Sequence, residues 1–320
     1  MQQILQVVRT KNLLVVMATM YAMRFFIVAP LLQVKGMQLQ LGEVPFLLLV
    51  LATVFIAAAG YVINDYFDTR ADLINHPESV IVGRKIARRT AIILHLGLSL
   101  VGVVLGTVVS FLIGKPTYSI IFLLVAGMLW FYSTTYKRQF LIGNIIVAFL
   151  SALVPMLVLV FELPPLSAAY WAYIVKFQIS ISDIIYWVSG YALFAFILTF
   201  VREVVKDIED FEGDQVFGRN TIPIVLGIQP AKIVSVIAIL AANVLLIYFV
   251  GAHLNQLPTG GVDYFTLAYL FLFIVTPLFV VLLKVYTATQ KSHYRLSSTL
   301  LKAVMLAGLG YSIVFKYFVI

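Results

Sequence analysis

The chain has 320 residues, 62% of them hydrophobic and 11% charged, with a formal net charge of +8 and no cysteine. Soluble domains carry about 25% charged residues, so this composition excludes a globular domain and describes a polytopic membrane protein. Without cysteine there is no disulfide framework, thiolate nucleophile or thiolate metal site. The positive charge is spread through segments between apolar runs, as beside a cytoplasmic leaflet, so no nucleic-acid partner is expected.

A membrane-spanning helix needs about 20 apolar residues. Nine such runs occur, at 13–33, 45–63, 90–113, 117–135, 141–161, 184–203, 231–250, 264–286 and 298–318. The runs are too long and too uniformly apolar for barrel strands. The expectation is therefore an all-α, polytopic membrane protein: nine transmembrane helices around a central cavity with cytoplasmic cap loops, forming one domain over 1–320. The first run is too long for a cleavable signal peptide and no small-residue cleavage site follows it.

Gly114, Lys115 and Pro116 predict a tight turn between the third and fourth helices, and Pro164-Pro165 predict the end of the fifth. The segment 164–184 then reads as a long outer loop with room for a short surface helix. Pro230 opens the seventh helix, where its missing N–H costs little. Pro155 and Pro277 lie inside runs and predict kinks. Segment 251–263 reads as an external loop.

With the N-terminus in the cytoplasm, only Lys35, Lys115, Lys176 and Lys316 of the 22 basic residues fall in outer segments, and Arg24 lies within the first helix. This is a strong positive-inside bias. It predicts an integral protein of the cell (inner) membrane. Arg24, a lone charge in an apolar span, is expected to snorkel or to pair with a backbone carbonyl in a packing role.

The acidic residues are concentrated. All but Glu43, Glu162, Asp183 and Asp263 of the fourteen fall in 65–78 or 203–214. The first stretch carries Asn64, Asp65, Asp68 and Asp72 after the second apolar run. The second carries Lys206, Asp207, Asp210 and Asp214 after the sixth. Asp65, Asp68 and Asp72 repeat the spacing of Asp207, Asp210 and Asp214. Both stretches fall on the cytoplasmic side, which hints at a parallel repeat, about 1–160 and 161–320.

Positions i, i+3 and i+7 share one helix face, so each triad can point one way. Facing carboxylates repel and call for a cation. Oxygen donors without nearby His or Cys favour Mg²⁺, with Mn²⁺ as a substitute. Two such clusters, Asp65, Asp68 and Asp72 facing Asp207, Asp210 and Asp214, suit a diphosphate held between metal ions, and Asn64 is either an N-cap or, the reading preferred, a neutral metal or phosphate ligand. Lys137, Arg84, Lys206 and Arg88 are the candidate contacts to the diphosphate, and Asn64 stands with them. His76, His95, His253 and His293 are scattered, with no zinc-like spacing.

On these residues the chain resembles the UbiA-type superfamily of intramembrane prenyltransferases. Asn64 to Asp72 match its NDxxDxxxD motif and Asp210 to Asp214 its DxxxD motif. Arg9 to Asn12, Tyr132 to Lys137, Leu141 to Asn144 and Gly218 to Pro223 agree more weakly. The resemblance implies Mg²⁺-dependent transfer of an isoprenoid from a prenyl diphosphate, with about two metal ions, to a hydrophobic or amphiphilic acceptor within membrane lipid. In motif style it is closest to enzymes that geranylgeranylate geranylgeranylglyceryl phosphate; relatives that prenylate 4-hydroxybenzoate or other quinone and tetrapyrrole precursors share the metal motifs. Relatives often place an Arg after the first motif in an N-x-P-x-R pattern, whereas 75–79 here holds none. The departing diphosphate would leave an allylic cation, for which Tyr61, Phe131, Tyr132, Tyr136, Phe196 and Phe200 are candidate aromatic neighbours. A membrane transporter is the rival class, but transporter sites lie near the midplane in broken helices. A CDP-alcohol phosphotransferase is disfavoured because its compact acidic motif is absent.

Overall fold

The computed structural model describes residues 2–78, 80–254 and 264–319. Among these residues there is no β-strand, only an isolated bridge between Val82 and Ile86. Among the described residues nine helices are long and apolar enough to cross a membrane: α1 (Thr10–Val34), α2 (Glu43–Asn75), α3 (Arg88–Leu112), α4 (Pro116–Thr134), α5 (Ile142–Phe177), α6 (Ser182–Glu209), α7 (Ile228–Ala252), α8 (Tyr264–Thr287) and α9 (Lys291–Phe318). The chain is an integral membrane protein.

α2 packs against α3 and α4, and α6 packs against α5, α7 and α9. α1 touches α2, α5 and α9, so it joins the two groups. The interior is apolar: Phe46, Leu49 and Val50 of α2, Phe161 of α5, and Leu198, Val201, Val204 and Val205 of α6 are buried. The α2–α3 approach depends on Gly102, where a Cβ would sit 2.6 Å from Ile56 and 3.0 Å from the carbonyl of Ala52.

Two expectations are corrected. α5 does not end at Pro164-Pro165 but runs 36 residues to Phe177. The expected outer loop 164–184 shrinks to the few residues between α5 and α6. The prolines remove two N–H donors, but tertiary packing holds the helix together beyond them. Leu166 is buried, and the Tyr170 hydroxyl accepts from the Gln38 N–H at 3.3 Å. The second triad is also not on one continuous helix. α6 ends at Glu209, Asp210 has φ −92° and ψ 6°, and a short helix restarts over Phe211–Val216. The bend turns Asp214 away from the axis that carries Asp207. The expected external loop 251–263 lies largely outside the described residues.

α2 has 33 residues, about 50 Å by helical rise. The hydrocarbon core is only about 30 Å thick, so the last turns of α2, with all of the first acidic motif, reach beyond it. α6 ends in the same way. At the opposite end of α2, Arg24 is almost fully buried in a π-helical stretch, Met23–Val28. Its guanidinium donates to the Leu41 carbonyl at 2.6 Å and to Glu43 at 2.9 Å, lies 3.6 Å from Glu162, and stacks 4.4 Å above the Phe46 ring. The expected backbone partner is present, together with two carboxylates.

Candidate active site

Asn64, Asp65, Asp68 and Asp72 lie on one stretch of α2. Arg9 donates to Asp65 at 2.8 Å. Asp68 is buried and is bracketed by two cations: Lys137 on one oxygen and Arg219 on the other, the latter at 2.7 Å. Lys137 also donates to Asn64 Oδ1 at 3.1 Å. The Asp72 carboxylate makes no hydrogen bond or ion pair among the described residues, yet lies within charge–charge reach of Asp68, Lys137, Asp65 and Asp210.

The second stretch comes to meet the first. Arg219 reaches Asp214 at 3.2 Å with its other terminal nitrogen, so one guanidinium bridges Asp68 and Asp214. His76, just past the end of α2, pairs with Asp210 at 2.8 Å. Asn75 completes the join: its side-chain amide donates to the Asp210 carbonyl at 3.2 Å and accepts the Gly213 N–H at 3.1 Å. A Cβ at residue 213 would fall 2.5 Å from that amide, so only glycine fits. Asp207 is held by the Asn144 amide at 2.8 Å and lies within charge–charge reach of Glu203, Asp214 and Lys206.

The cations are locked in their charged forms. Burial opposes the charge on Lys137, but the adjacent Asp68 carboxylate outweighs it and raises its pKa. Arg219 behaves alike, burial being outweighed by Asp68 and Asp214. Burial pushes Asp214 up to about 6, with Arg219 opposing. The hydrogen bond to Asp210 raises His76 above the ordinary histidine value.

No three of the carboxylates among the described residues converge closely enough to hold a metal ion unaided. The rims meet through Lys137 and Arg219 instead. The donor set nevertheless fits Mg²⁺. It is all oxygen, and Asp72 and Asp207, one from each rim, form no ion pair among the described residues. Mg²⁺ usually takes one or two carboxylates and completes its shell with water and substrate phosphate. That arrangement suits two rims facing one diphosphate better than a closed protein cage.

Three of the expected diphosphate contacts point elsewhere. Arg84 donates to the Pro77 carbonyl at 2.5 Å, and Arg88 lies 4.3 Å over the Tyr66 ring. Lys206 turns toward Glu203 at 3.9 Å. Of the aromatic candidates, Tyr132 lies within reach of Lys137, Glu203, Asp68 and Asp207, whereas Tyr61 underlies Arg9 at 5.2 Å and Phe131 is exposed. Sequence reasoning gave no individual role to Arg219, Asn75, His76, Asn144 or Arg9. Arg219, Asn144 and Arg9 do sit in the weaker motif agreements, which was the available signal.

The sequence matches the model of the UbiA prenyltransferase family over residues 22–303. It is 34% identical over 217 residues to the digeranylgeranylglyceryl phosphate synthase of Thermococcus sibiricus, a match covering 66% of this chain and 68% of that one. The fold resembles the apo structure of a UbiA homolog from Aeropyrum pernix K1, with a TM-score of 0.62 at 18% identity over 92% of this chain and 96% of that one. It also resembles a UbiA homolog from Archaeoglobus fulgidus bound to DMAPP and Mg²⁺, with a TM-score of 0.58 at 14% identity over 96% and 99% of the two chains. At those identities the structures speak for the fold alone. The family match over most of the chain, together with a relative 34% identical over 217 aligned residues, establishes that this protein belongs to the UbiA prenyltransferase family.

Proposed function

We propose that this prenyltransferase moves a polyprenyl group from a prenyl diphosphate to the hydroxyl of a prenylated glyceryl phosphate. The observation that carries the reading is the closure of the two acidic stretches over one point, with Asp68 and Asp214 bridged by Arg219 and Asp68 capped by Lys137. The acceptor class is supported by the name of the Thermococcus sibiricus relative, digeranylgeranylglyceryl phosphate synthase. The positive-inside bias supports an active site on the cytoplasmic face of the cell membrane.

In this reading the donor diphosphate lies between the end of α2 and segment 207–214. Asn64, Asp65, Asp68, Asp72, Asp207, Asp210 and Asp214 are the residues that would hold Mg²⁺, which when bound supplies Lewis-acid neutralisation of the leaving group. Lys137 and Arg219 add fixed positive charge where negative charge develops on the departing diphosphate. The C1–O bond breaks with its electron pair going to the diphosphate. The acceptor oxygen then bonds to C1, and its proton passes to the released diphosphate. Tyr132 stands beside the charges, where its ring face can stabilise an allylic cation. Asn75 and His76 hold the second stretch in place.

The test is incubation of purified protein with Mg²⁺, a series of prenyl diphosphates and an acceptor panel that includes 4-hydroxybenzoate, read by lipid mass spectrometry. The expected product is a doubly prenylated glyceryl phosphate with equimolar diphosphate. Prenylation of the aromatic acceptor alone would overturn the acceptor assignment.

A further inference from the structure

A second charged cluster lies beside the acidic rims. Arg202 donates to Glu203 at 2.7 Å, and Lys206 lies 3.9 Å from the other Glu203 oxygen. Lys302 of α9, which packs on α6, lies within charge–charge reach of Arg202, Lys206, Arg9 and Glu203. Glu203 feels Lys206, Arg202, Lys137 and Arg9. Arg9 is already engaged by Asp65, so Arg202, Lys206 and Lys302 face Glu203, with Asp207 within reach of Lys206, and the cluster keeps a net positive charge. The Arg202 Nε is buried with no acceptor among the described residues. The rim acid Asp207 reaches Lys206 and offsets the cluster only in part.

The cluster is also in the right place. Glu203 precedes Asp207 by four residues, about 6 Å along α6. It shares the surroundings of Tyr132, which lies within reach of Lys137, Glu203, Asp68 and Asp207. In a glyceryl phosphate the attacking hydroxyl and the phosphate are separated by only a few bonds. An acceptor oxygen aimed at the donor C1 therefore puts its phosphate within about one helical turn of the metal rims.

We propose that Arg202, Lys206 and Lys302 bind the phosphate monoester of the acceptor, with Glu203 holding Arg202 and Lys206 apart from the donor diphosphate. The inference rests on the acceptor reading above and adds the site that recognises it. A phosphate monoester carries nearly two negative charges, which suits a cluster of net positive charge. Glu203 then has a role that a purely anchoring basic patch would not need.

The experiment compares a geranylgeranylglyceryl phosphate with the same lipid dephosphorylated, using full-length protein, Mg²⁺ and a fixed prenyl diphosphate. Lys302 is exposed, so Lys302→Gln tests the cluster with little risk to folding, and Lys302→Arg keeps the charge. Lys302→Gln and Arg202→Gln are expected to raise KM for the phosphorylated acceptor by about tenfold or more, the range for a lost hydrogen bond to a charged group. The KM for the donor and turnover of the dephosphorylated acceptor should stay put, and Lys302→Arg should restore KM. Unchanged acceptor KM in both Gln variants, or a parallel rise in donor KM, would overturn the assignment. If wild-type protein consumes donor yet ignores both glyceryl lipids in favour of an aromatic acceptor, the acceptor reading itself has failed and this site falls with it.

Discussion

Asp68 and Arg219 are 151 residues apart in the chain, and the Arg219 Nη2 lies 2.7 Å from the Asp68 carboxylate in a buried ion pair. The same guanidinium reaches Asp214 at 3.2 Å. Truncating one partner of a buried pair costs about 3–5 kcal/mol because the remaining charge is stranded. Here Arg219→Leu strands two carboxylates that also repel. The expected result is loss of prenyl transfer by about a hundredfold or more, with Arg219→Lys recovering only part, since an ammonium cannot fork between two carboxylates. Steady-state turnover on protein that stays monodisperse in detergent checks this. Near-wild-type turnover in Arg219→Leu would show that the bridge is incidental.

Asn75 holds the second acidic stretch by its backbone, bonding both Asp210 and Gly213. Asn75→Leu therefore removes two hydrogen bonds without touching a carboxylate, and Gly213→Ala drives a methyl into the same amide. Both variants are expected to lower kcat by at least about tenfold while the protein still inserts and folds. The Asn75→Leu, Gly213→Ala double variant should lose little more than either single change, because both break one clamp. Fully additive losses would assign the two residues separate roles.

Asp72 and Asp207 form no ion pair among the described residues and belong to opposite rims. Chelation is expected to abolish transfer, and added Mg²⁺ or Mn²⁺ to restore it. Asp72→Asn and Asp207→Asn should each raise the Mg²⁺ concentration for half-maximal rate by about tenfold or more, with part of the activity recovered at saturating metal. A Mg²⁺ titration reads this directly. Activity that survives exhaustive chelation would remove the metal from the reaction.

How much of this was legible follows from which forces act locally. Nine apolar runs set the number and class of helices, because the bilayer requires that length of apolar chain. The two acidic stretches stood out because acids are scarce elsewhere. Pro164-Pro165 misled, because packing by Leu166 and Tyr170 carries α5 through them. The bend at Asp210 was invisible, since the i, i+3, i+7 spacing fits a straight helix as well as a broken one. Arg219 and Asn75 act through partners more than 130 residues distant. Without those partners Arg219 reads as a positive-inside loop residue. Glu162, at the predicted end of the fifth run, likewise gave no sign that it would meet Arg24.

That last pair supports a prediction about stability rather than chemistry. Arg24 and Glu162 are both buried. Glu162 accepts the backbone N–H groups of Gln40 and, at 3.2 Å, Leu41, while Arg24 binds the Leu41 carbonyl at 2.6 Å. The pair thus satisfies the backbone of the α1–α2 connection inside an apolar bundle, where unmade hydrogen bonds are costly. Glu43 and Asp65 are 22 residues apart on α2, about 33 Å by helical rise, so the cluster is remote from the acidic rims. Arg24→Leu should cost about 3–5 kcal/mol by stranding the Glu162 charge, whereas Arg24→Leu with Glu162→Gln should recover part of that loss. Thermal unfolding in detergent should show the single variant melting several degrees early, with kcat of the folded protein preserved at a permissive temperature. A large fall in kcat with unchanged thermal stability would instead place Arg24 in the catalytic path.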